Sequence, residues 1–251
     1  MPLGEPEEAG LGGLLRRGLT SARALGPALA LESVRLLPPV PAPGKIVCIG
    51  LNYRSHCEEQ GAEPPETPAF FAKFANSLAA SGAEVRLPAA SRKVDYEAEV
   101  AFVIADRCKD VGEDEALDRV AGYMLLNDLS ARDLQFATPQ WMPGKVFDGA
   151  APCGPALVTP GEAGPHDGIE IELTLNGEVM QRGSTSDLVH SVPALVAHLS
   201  SLMTLEPGDV VSTGTPAGVG SLRSPRVWLK PGDEIVIESR QLGRLETRLG
   251  A

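Results

Sequence analysis

The stretch EAEVAFVIA, residues 97–105, decides the fold class of this 251-residue chain. Its first residues alternate between polar and apolar, and its later residues are wholly apolar, which is the pattern of a strand that becomes buried on both faces. Further short apolar runs flank it along the chain. They are KIVCIG (45–50), VAGYMLLND (120–128), DVVSTG (209–214) and DEIVIES (233–239). These runs predict a core built mainly of strands.

Turn signals between the runs support the same interpretation. The segment IEIELTLNGEVM (169–180) alternates cleanly around Asn176-Gly177, the dipeptide most typical of a two-residue hairpin turn. GRLETRL (243–249) is expected to pair with the run before it across Leu242-Gly243. The 27 glycines and 22 prolines are also typical of many short strands and turns.

Few helices are expected. VPALVAHLSSLM (192–203) has helical apolar spacing, and Ser191 is a suitable N-cap residue. EDEALDRVA (113–121) is a weaker candidate that leads into the next strand. The sequence therefore predicts a β-rich α+β domain in which mixed sheets surround the core. Residues 1–43 differ in composition and end in the proline-rich LLPPVPAPG (36–44), so we interpret them as a small N-terminal appendage and linker.

The composition argues against several functional classes. The chain has 22 Lys+Arg against 33 Asp+Glu, a net charge of −11, and only 4% aromatic residues, which argues against binding to nucleic acid or to an anionic membrane surface. No apolar run approaches the ~18 residues of a membrane span, and the residues after Met1 do not resemble a secretory signal. The four cysteines are widely spaced, which favours reduced thiols. We therefore expect a soluble cytoplasmic protein.

Three acidic residues suggest a metal site. Glu97 and Glu99 are two residues apart in a predicted strand, so their side chains project from one face, ~7 Å apart along the chain. That face continues through Ala101 and Val103, which directs the two acids toward the interior or a cleft. Neighbouring buried carboxylates repel unless a cation compensates them, and a hard divalent metal is suited to this. Asp128 is a third acid at the end of a strand. A solvated strand face remains the alternative.

Other polar residues are candidates for proton transfer. His56 and Glu59 are three residues apart, so they share a face if GLNYRSHCEEQG (50–61) forms a short helix. A carboxylate beside an imidazole orients its tautomer and raises its basicity. Lys145 lies between glycine and apolar residues in GKVFDG (144–149), where partial desolvation would tune its amine. The alternatives are a surface turn with an unrelated histidine and an ordinary exposed lysine.

Candidate substrate-binding residues follow. Arg132 and Gln135 lie about one turn beyond Asp128, and Thr215 lies in the glycine-rich STGTPAGVG (212–220), whose backbone amides are suited to a carboxylate. This loop lacks the order of a dinucleotide-binding or phosphate-binding motif. The chain contains neither HExxH nor GxSxG, so a zinc peptidase and a serine hydrolase have little support.

Taken in order, five motifs make the chain similar to the fumarylacetoacetate hydrolase family. They are IGLNYRSHCEE, DYEAEVAFVI, NDLSARDLQ, GKVFDGAAPCGP and TSDLVHSVPALVAHLSSLMTLEPGDVVSTGTPAGVG. The resemblance implies a mixed β-roll or β-sandwich with few helices, a catalytic domain over residues 44–251, and a homodimer. It also implies a Mg²⁺ or Mn²⁺ site, which Ca²⁺ can fill in crystals, formed by Glu97, Glu99 and Asp128.

The resemblance also assigns roles to the remaining candidates. It makes His56 and Glu59 a catalytic dyad on a helix that covers the site, and Lys145 the active-site lysine. Arg132, Gln135 and Thr215 become substrate contacts. One departure is Ser55, because the family often has aspartate before the dyad histidine. Residues 1–43 match none of the motifs.

The residues and the resemblance together predict an enzyme that acts on a 2-oxo or 2-hydroxy-dienoic dicarboxylic acid through a metal-stabilised enolate. The motifs favour an isomerase or decarboxylase of the 2-hydroxyhepta-2,4-diene-1,7-dioate type in aromatic catabolism. A carbon–carbon hydrolase of acylpyruvates or fumarylpyruvate and an oxaloacetate decarboxylase are alternatives. A protein that binds a metal or ligand without catalysis is the alternative from another class.

Overall fold

The protein, described by a computed structural model at residue 30 and residues 33–250, is rich in strands. The strands are β1 (Ile46–Gly50), β2 (Ala69–Lys73), β3 (Leu78–Ala80), β4 (Glu84–Arg86), β5 (Val94–Asp95), β6 (Ala98–Ile104), β7 (Val120–Asn127), β8 (Ser130–Ala131), β9 (Ala151–Val158), β10 (Glu170–Leu175), β11 (Glu178–Ser184), β12 (Val210–Ser212), β13 (Glu234–Ser239) and β14 (Gly243–Gly250). The helices are α1 (Arg54–Gln60), α2 (Glu113–Ala116), α3 (Arg132–Gln135), α4 (Pro160–Ala163) and α5 (Val192–Leu202). Single 3₁₀ turns lie at Ala75–Ser77, Leu117–Arg119, Met142–Gly144, Thr185–Asp187 and Gly220–Leu222.

Two mixed sheets dominate the fold. The larger has the strand order β2-β1-β12-β6-β7-β9-β3, and the smaller has the order β11-β10-β13-β14-β4. Within the larger sheet the β1–β12 and β9–β3 pairs are parallel, and the remaining pairs are antiparallel. Strands β5 and β8 form a separate antiparallel pair beside them. This arrangement confirms the predicted β-rich α+β class.

The central strand β6 is buried along its whole length, because both faces of the larger sheet are covered. Val100 and Phe102 belong to the main core, which also contains Leu173 and Ile237 of the smaller sheet. Ala101, two positions beyond Glu99, belongs to a second cluster on the opposite face. Burial on both sides explains why the second half of this strand is continuously apolar.

The local predictions for the hairpin and the long helix are confirmed. Asn176 and Gly177 both have positive φ, 52° and 83°, and they connect the antiparallel strands β10 and β11. Helix α5 starts after Ser191, whose side chain accepts a hydrogen bond from the backbone N–H of Ala194. Strands β13 and β14 pair antiparallel as expected. All four cysteines are free and buried.

The N-terminal prediction lies mostly outside the described residues, since residues 1–29, 31 and 32 are not among them. The boundary at residue 43 therefore stays a prediction. Within the described part, Val40 is buried in the second apolar cluster, so the end of the predicted linker packs on the larger sheet. No helix among the described residues is long and apolar enough to cross a membrane.

Candidate active site

The pairing of β6 with β7 brings the three predicted acidic residues together. Ala98 pairs with Asn127 across the two strands, and Glu97 and Asp128 lie directly beyond this pair. The backbone N–H of Asp128 donates to the carbonyl of Glu97 at 2.9 Å. One carboxylate oxygen from each of Glu97, Glu99 and Asp128 lies within 4.8 Å of the other two, and all three residues are buried. Strand register thus builds a buried carboxylate cluster.

Two predicted basic residues neutralise much of this charge. The Nζ atom of Lys145 lies 2.7 Å from Glu97 Oε2 and 2.8 Å from Asp128 Oδ2. Nη2 of Arg132 lies 2.7 Å from Glu97 Oε1 and 2.8 Å from Asp95 Oδ2. Lys145 follows the 3₁₀ turn Met142–Gly144, and its ammonium lies 5.0 Å from the centre of the Phe71 ring. Both cations are therefore fixed by charge-assisted contacts.

Lys73, at the end of β2, is a further cation that the sequence analysis missed. Its buried Nζ lies 2.8 Å from Asp128 Oδ1 and donates to the carbonyl oxygens of Lys145 and Ala150 at 2.5 Å and 2.9 Å. Lys73 therefore holds both the Asp128 carboxylate and the backbone of Lys145. A lysine that ends the apolar run AFFAK was the available signal, because a fully buried lysine requires a partner.

The cations and the acids shift the pKa values of the cluster in opposite directions. Burial alone raises the pKa of Glu97, but the charges of Arg132 and Lys145 outweigh it and hold the pKa well below its usual value. Burial raises the pKa of Glu99 well above its usual value, and the charges of Asp128 and Glu97 add to this effect. The hydrogen bond that Ser212 donates to Glu99 offsets only part of the shift. The cluster thus lacks positive charge near Glu99.

The donor set fits a hard divalent cation. Glu97, Glu99 and Asp128 offer only carboxylate oxygens, which Mg²⁺, Mn²⁺ and Ca²⁺ prefer over nitrogen or sulfur ligands. The buried charged residues of the site comprise four acids, with Asp95 as the fourth, and the cations Lys73, Arg132 and Lys145. When all four acids are ionised, as metal binding requires, they exceed the three cations by one negative charge, and this excess attracts a divalent cation.

The predicted dyad forms on helix α1. His56 Nδ1 lies 3.0 Å from Glu59 Oε2, and His56 Nε2 lies 2.7 Å from the side-chain nitrogen of Gln60. Both contacts are satisfied when Nδ1 carries the proton and donates to Glu59, while Nε2 accepts from the Gln60 amide. The other Glu59 oxygen accepts from the backbone N–H of Gly218 at 2.8 Å. The dyad is thereby attached to the glycine-rich loop.

An aspartate from a distant segment anchors the start of helix α1. Asp187 Oδ2 accepts hydrogen bonds from the backbone N–H of Ser55 at 3.1 Å and from its hydroxyl at 2.6 Å. The guanidinium of Arg54 donates to the backbone carbonyl of Leu188 at 2.5 Å. Ser55, which stands where the family often has aspartate, therefore uses a carboxylate that is 132 residues away in sequence.

One pocket of about 70 Å³ contains almost all the predicted site residues. Its lining includes eight of the nine, and the ninth, Glu59, contacts the His56 imidazole. The eight are His56, Glu97, Glu99, Asp128, Arg132, Gln135, Lys145 and Thr215. The aromatic residues Phe71, Phe136 and Trp141 also line the pocket. The structure therefore brings the candidates together, whatever the role of each.

Two of the predicted substrate contacts also hold the protein together. The hydroxyl of Thr215 donates to the Ala98 carbonyl at 2.9 Å and accepts from Gln181 at 2.8 Å. The side-chain oxygen of Gln135 accepts from Nη1 of Arg132 at 3.0 Å. Through these hydrogen bonds, both residues stabilise the segments that line the pocket.

Sequence reasoning missed the partner that orients Arg132. Asp95 is fully buried and accepts from Nε of Arg132 at 2.9 Å and from the backbone N–H groups of Gly220 and Ser221 at 2.8 and 3.0 Å. The feature of the sequence that could have indicated Asp95 was its position in DYEAEV, two residues before Glu97. An acid at the start of an apolar strand did not by itself indicate which cation it would meet.

Comparisons with known proteins show to which family the chain is similar. A model of the family described as fumarylacetoacetate (FAA) hydrolase C-terminal matches residues 45–250. The chain is 43% identical over 219 residues to an oxaloacetate tautomerase of Xenopus laevis described as mitochondrial, covering 86% of this chain and 69% of the relative.

Two solved structures are also similar. A 2-hydroxyhepta-2,4-diene-1,7-dioate isomerase from Mycobacterium marinum has a TM-score of 0.80 at 36% identity, covering 92% of this chain and 83% of the other. A fumarylpyruvate hydrolase from Pseudomonas aeruginosa, in complex with Mn²⁺ and pyruvate, has a TM-score of 0.76 at 33% identity, covering 83% and 90%. The relatives are enzymes, and one of them was solved with a divalent metal.

Proposed function

The chain belongs to the fumarylacetoacetate hydrolase family, and from that premise we propose that it is a divalent-metal-dependent isomerase. Its proposed reaction is the interconversion of the keto and enol forms of a 2-oxo dicarboxylic acid of the oxaloacetate type. The observation that carries the proposal is the position of His56, whose side chain lines the same small pocket as the carboxylate cluster. The similarity to an oxaloacetate tautomerase supports this substrate over the longer dienedioate.

Glu97, Glu99 and Asp128 are the residues that would hold the metal. A bound divalent metal supplies Lewis-acid stabilisation of the negative charge that develops on the substrate oxygen. Lys145 and Arg132 add positive charge on the same side of the pocket, so they favour binding of a carboxylate. Because Asp95 and Glu97 fix the guanidinium of Arg132, it presents its charge without reorganisation.

His56 is the proposed acid–base group. In the direction of enol formation, Nε2 of His56 takes the proton from the carbon next to the 2-oxo group, the C–H electron pair forms the carbon–carbon double bond, and the 2-oxo oxygen takes up a proton from solvent water. In the reverse direction the oxygen gives its proton to water and His56 returns a proton to the carbon. Glu59 accepts the Nδ1 proton and stabilises the imidazolium that forms. The Gln60 amide donates to Nε2 in this structure, so its side chain turns away before the proton is transferred.

Hydrolysis of a carbon–carbon bond is the second candidate. The similarity to fumarylpyruvate hydrolase favours it, and the same dyad is suited to activating a water molecule. The two reactions differ in their products. A tautomerase leaves the carbon skeleton intact, whereas a hydrolase releases two acids from an acylpyruvate.

The test follows the ultraviolet absorbance of enol-oxaloacetate with Mg²⁺ present, together with mass spectrometry of acylpyruvate incubations. We expect the wild type to accelerate enol decay and EDTA to remove the effect. Glu99→Ala should abolish it, and His56→Gln should lower it by about 10²-fold or more. Glu238→Ala, a strand glutamate on the smaller sheet, is the matched control and should retain full activity.

Three results would separate the alternatives. Full activity of Glu99→Ala with EDTA present contradicts the metal-dependent mechanism. Cleavage of acylpyruvates without tautomerase activity favours the hydrolase. A wild type that binds Mg²⁺ but turns over none of these compounds favours the non-catalytic binding protein. The predicted homodimer, cytoplasmic location and place in aromatic catabolism stay predictions that rest on the sequence.

A further inference from the structure

Asp95 is a fully buried acid that no step of the proposed reaction uses. It is the last residue of β5 and lies two positions before Glu97. Its carboxylate accepts hydrogen bonds from two parts of the chain that are far apart in sequence. One is the guanidinium of Arg132, and the other is the turn Gly220–Leu222, in which the glycine-rich loop ends. Asp95 therefore joins a proposed substrate-binding residue to that loop.

Both oxygens of this carboxylate are fully used. Oδ2 lies 2.9 Å from Nε and 2.8 Å from Nη2 of Arg132, and it also accepts from the N–H of Ser221 at 3.0 Å. Oδ1 accepts from the N–H of Gly220 at 2.8 Å and from the N–H of Tyr96 at 2.9 Å. Buried charge-assisted hydrogen bonds are costly to leave unmade. The carboxylate therefore cannot turn toward one partner without a loss at the others.

The glycine-rich loop approaches this carboxylate too closely for a larger residue. A Cβ at Gly220 would lie 2.7 Å from Asp95 Oδ1 and 2.3 Å from the Val227 carbonyl oxygen. The next residue after the acid adds a second contact, because the Tyr96 hydroxyl donates to the carbonyl of Gly218 at 3.1 Å. Two consecutive side chains of the segment that follows β5 into β6 thus fix the loop from its 218th to its 220th residue.

The loop carries this fixation to the dyad. The N–H of Gly218 donates to one oxygen of Glu59 at 2.8 Å, and the other oxygen lies 3.0 Å from Nδ1 of His56. Hydrogen bonds therefore connect Arg132, through Asp95 and the loop, to the imidazole. Both Arg132 and His56 line the pocket of about 70 Å³, whereas Asp95 does not.

We propose that Asp95 is a positioning residue that holds the guanidinium of Arg132 and the His56–Glu59 dyad in a fixed relation to each other. The inference rests on the proposed function, which gives Arg132 the substrate carboxylate and His56 the proton transfer. Because Asp95 is outside the pocket lining, it acts through these two groups. Loss of its charge should weaken substrate binding through the first group and proton transfer through the second.

The first test measures KM and kcat for enol-oxaloacetate with the full-length protein at saturating Mg²⁺. Asp95→Asn keeps the size of the side chain but turns an amide NH₂ toward donors. We expect KM to rise about tenfold and kcat to fall about tenfold. When Arg132→Gln is already present, Asp95→Asn should still lower kcat but leave KM unchanged. A change in KM alone, or KM effects that multiply in the double variant, would contradict the joint role.

Asp209→Asn is the matched control. Asp209 is also buried, and it accepts from Nζ of Lys45 at 2.6 Å and from the backbone N–H of Glu206 at 2.8 Å. Its carbonyl accepts from the N–H of Ile104, so it lies at the opposite end of β6 from the carboxylate cluster. This variant should lose stability and keep KM and kcat. If it loses as much turnover as Asp95→Asn, the loss reflects general destabilisation and the positioning role is wrong.

The second test is independent of turnover. Amide hydrogen exchange of the Mg²⁺-loaded protein is followed by mass spectrometry. Asp95→Asn should accelerate exchange at residues 218–221 and in α1 by about tenfold. Gly220→Ala should do the same from the side of the loop with the carboxylate unchanged, and Asp209→Asn should not. Unchanged exchange in the first two variants contradicts the proposal. If exchange responds as expected but the wild type turns over no substrate, the proposed function alone fails.

Discussion

The two sheets of this protein use ion pairs of the same length in opposite environments. On the smaller sheet, Arg244 lies 2.6 Å from Glu238 and 2.8 Å from Glu246, and its side chain is 50% exposed. At the larger sheet, Lys145 lies 2.7 Å from Glu97 and 2.8 Å from its other acid, and its side chain is 3% exposed. The two groups of ion pairs therefore have similar N–O distances and differ in the exposure of their side chains to solvent.

The difference indicates what each group of charges does. Exposed pairs are screened by water and contribute about 0–1 kcal/mol each. Buried charges have lost their hydration, so each depends on every partner around it, and removal of one leaves the others uncompensated. In the larger sheet, the free-energy cost of burying these charges falls where a ligand and a metal are proposed to bind. The smaller sheet carries its charges on the surface and keeps an apolar interior.

The largest effect on stability is expected from the buried lysine. Lys145→Met should lower the free energy of unfolding of the metal-free protein by about 3–5 kcal/mol, because Glu97 and Asp128 lose a shared counter-charge. Arg244→Met on the smaller sheet should cost less than about 1 kcal/mol. Urea denaturation in EDTA measures both. Mg²⁺ should restore part of the loss in Lys145→Met alone, and equal effects of the two substitutions would contradict the comparison.

A smaller effect is expected when either of two glycines with positive φ is replaced by alanine, and the two substitutions should act on different properties. Gly218 has φ 105°, and a Cβ there would lie 2.2 Å from the Met180 carbonyl oxygen, whereas Gly177 at the β10–β11 turn has open space. Gly218→Ala should displace the N–H that holds Glu59, so turnover should fall by about tenfold or more. Gly177→Ala should cost about 1–2 kcal/mol from backbone strain and leave turnover unchanged. Steady-state kinetics and thermal unfolding separate the two, and unchanged turnover in Gly218→Ala would show that the dyad does not need this anchor.

The smallest effect concerns a partly exposed acid next to the site. Burial raises the pKa of Asp133, but hydrogen bonds from the Arg92 N–H and the Ser91 hydroxyl outweigh it and lower the pKa below the usual value. Because the folded pKa is depressed, the contribution of Asp133 to stability is present above about pH 4 and is lost as the pH falls through the folded value. Asp133→Asn should therefore be less stable than the wild type by about 1 kcal/mol at pH 7.

Measurement of the unfolding free energy between pH 7 and pH 2 tests whether Asp133 stabilises the protein through its ionised carboxylate. The gap between wild type and Asp133→Asn should narrow as the pH falls. A gap that stays constant over this range would show that the loss comes from packing and not from the ionised carboxylate.

The local features of the fold and of the site could be predicted from the sequence. The apolar runs and the Asn-Gly turn predicted the strands correctly, because side-chain alternation and turn preferences act over a few residues. The spacing of Glu97 and Glu99 placed both acids on one face, and the face agrees with Ala101 in the second cluster. The short helix that carries His56 and Glu59 formed where local spacing indicated it.

The sequence by itself thus determined the strand pattern, the carboxylate pair and the dyad, since each depends on neighbours in the chain. Only the tertiary structure decided which charges meet. Lys73 on Asp128, Asp95 on Arg132 and Asp187 on Ser55 join segments 37 or more residues apart. Such pairs depend on strand order and register, which bring distant segments together to bury a common core, and no local pattern encodes that contact.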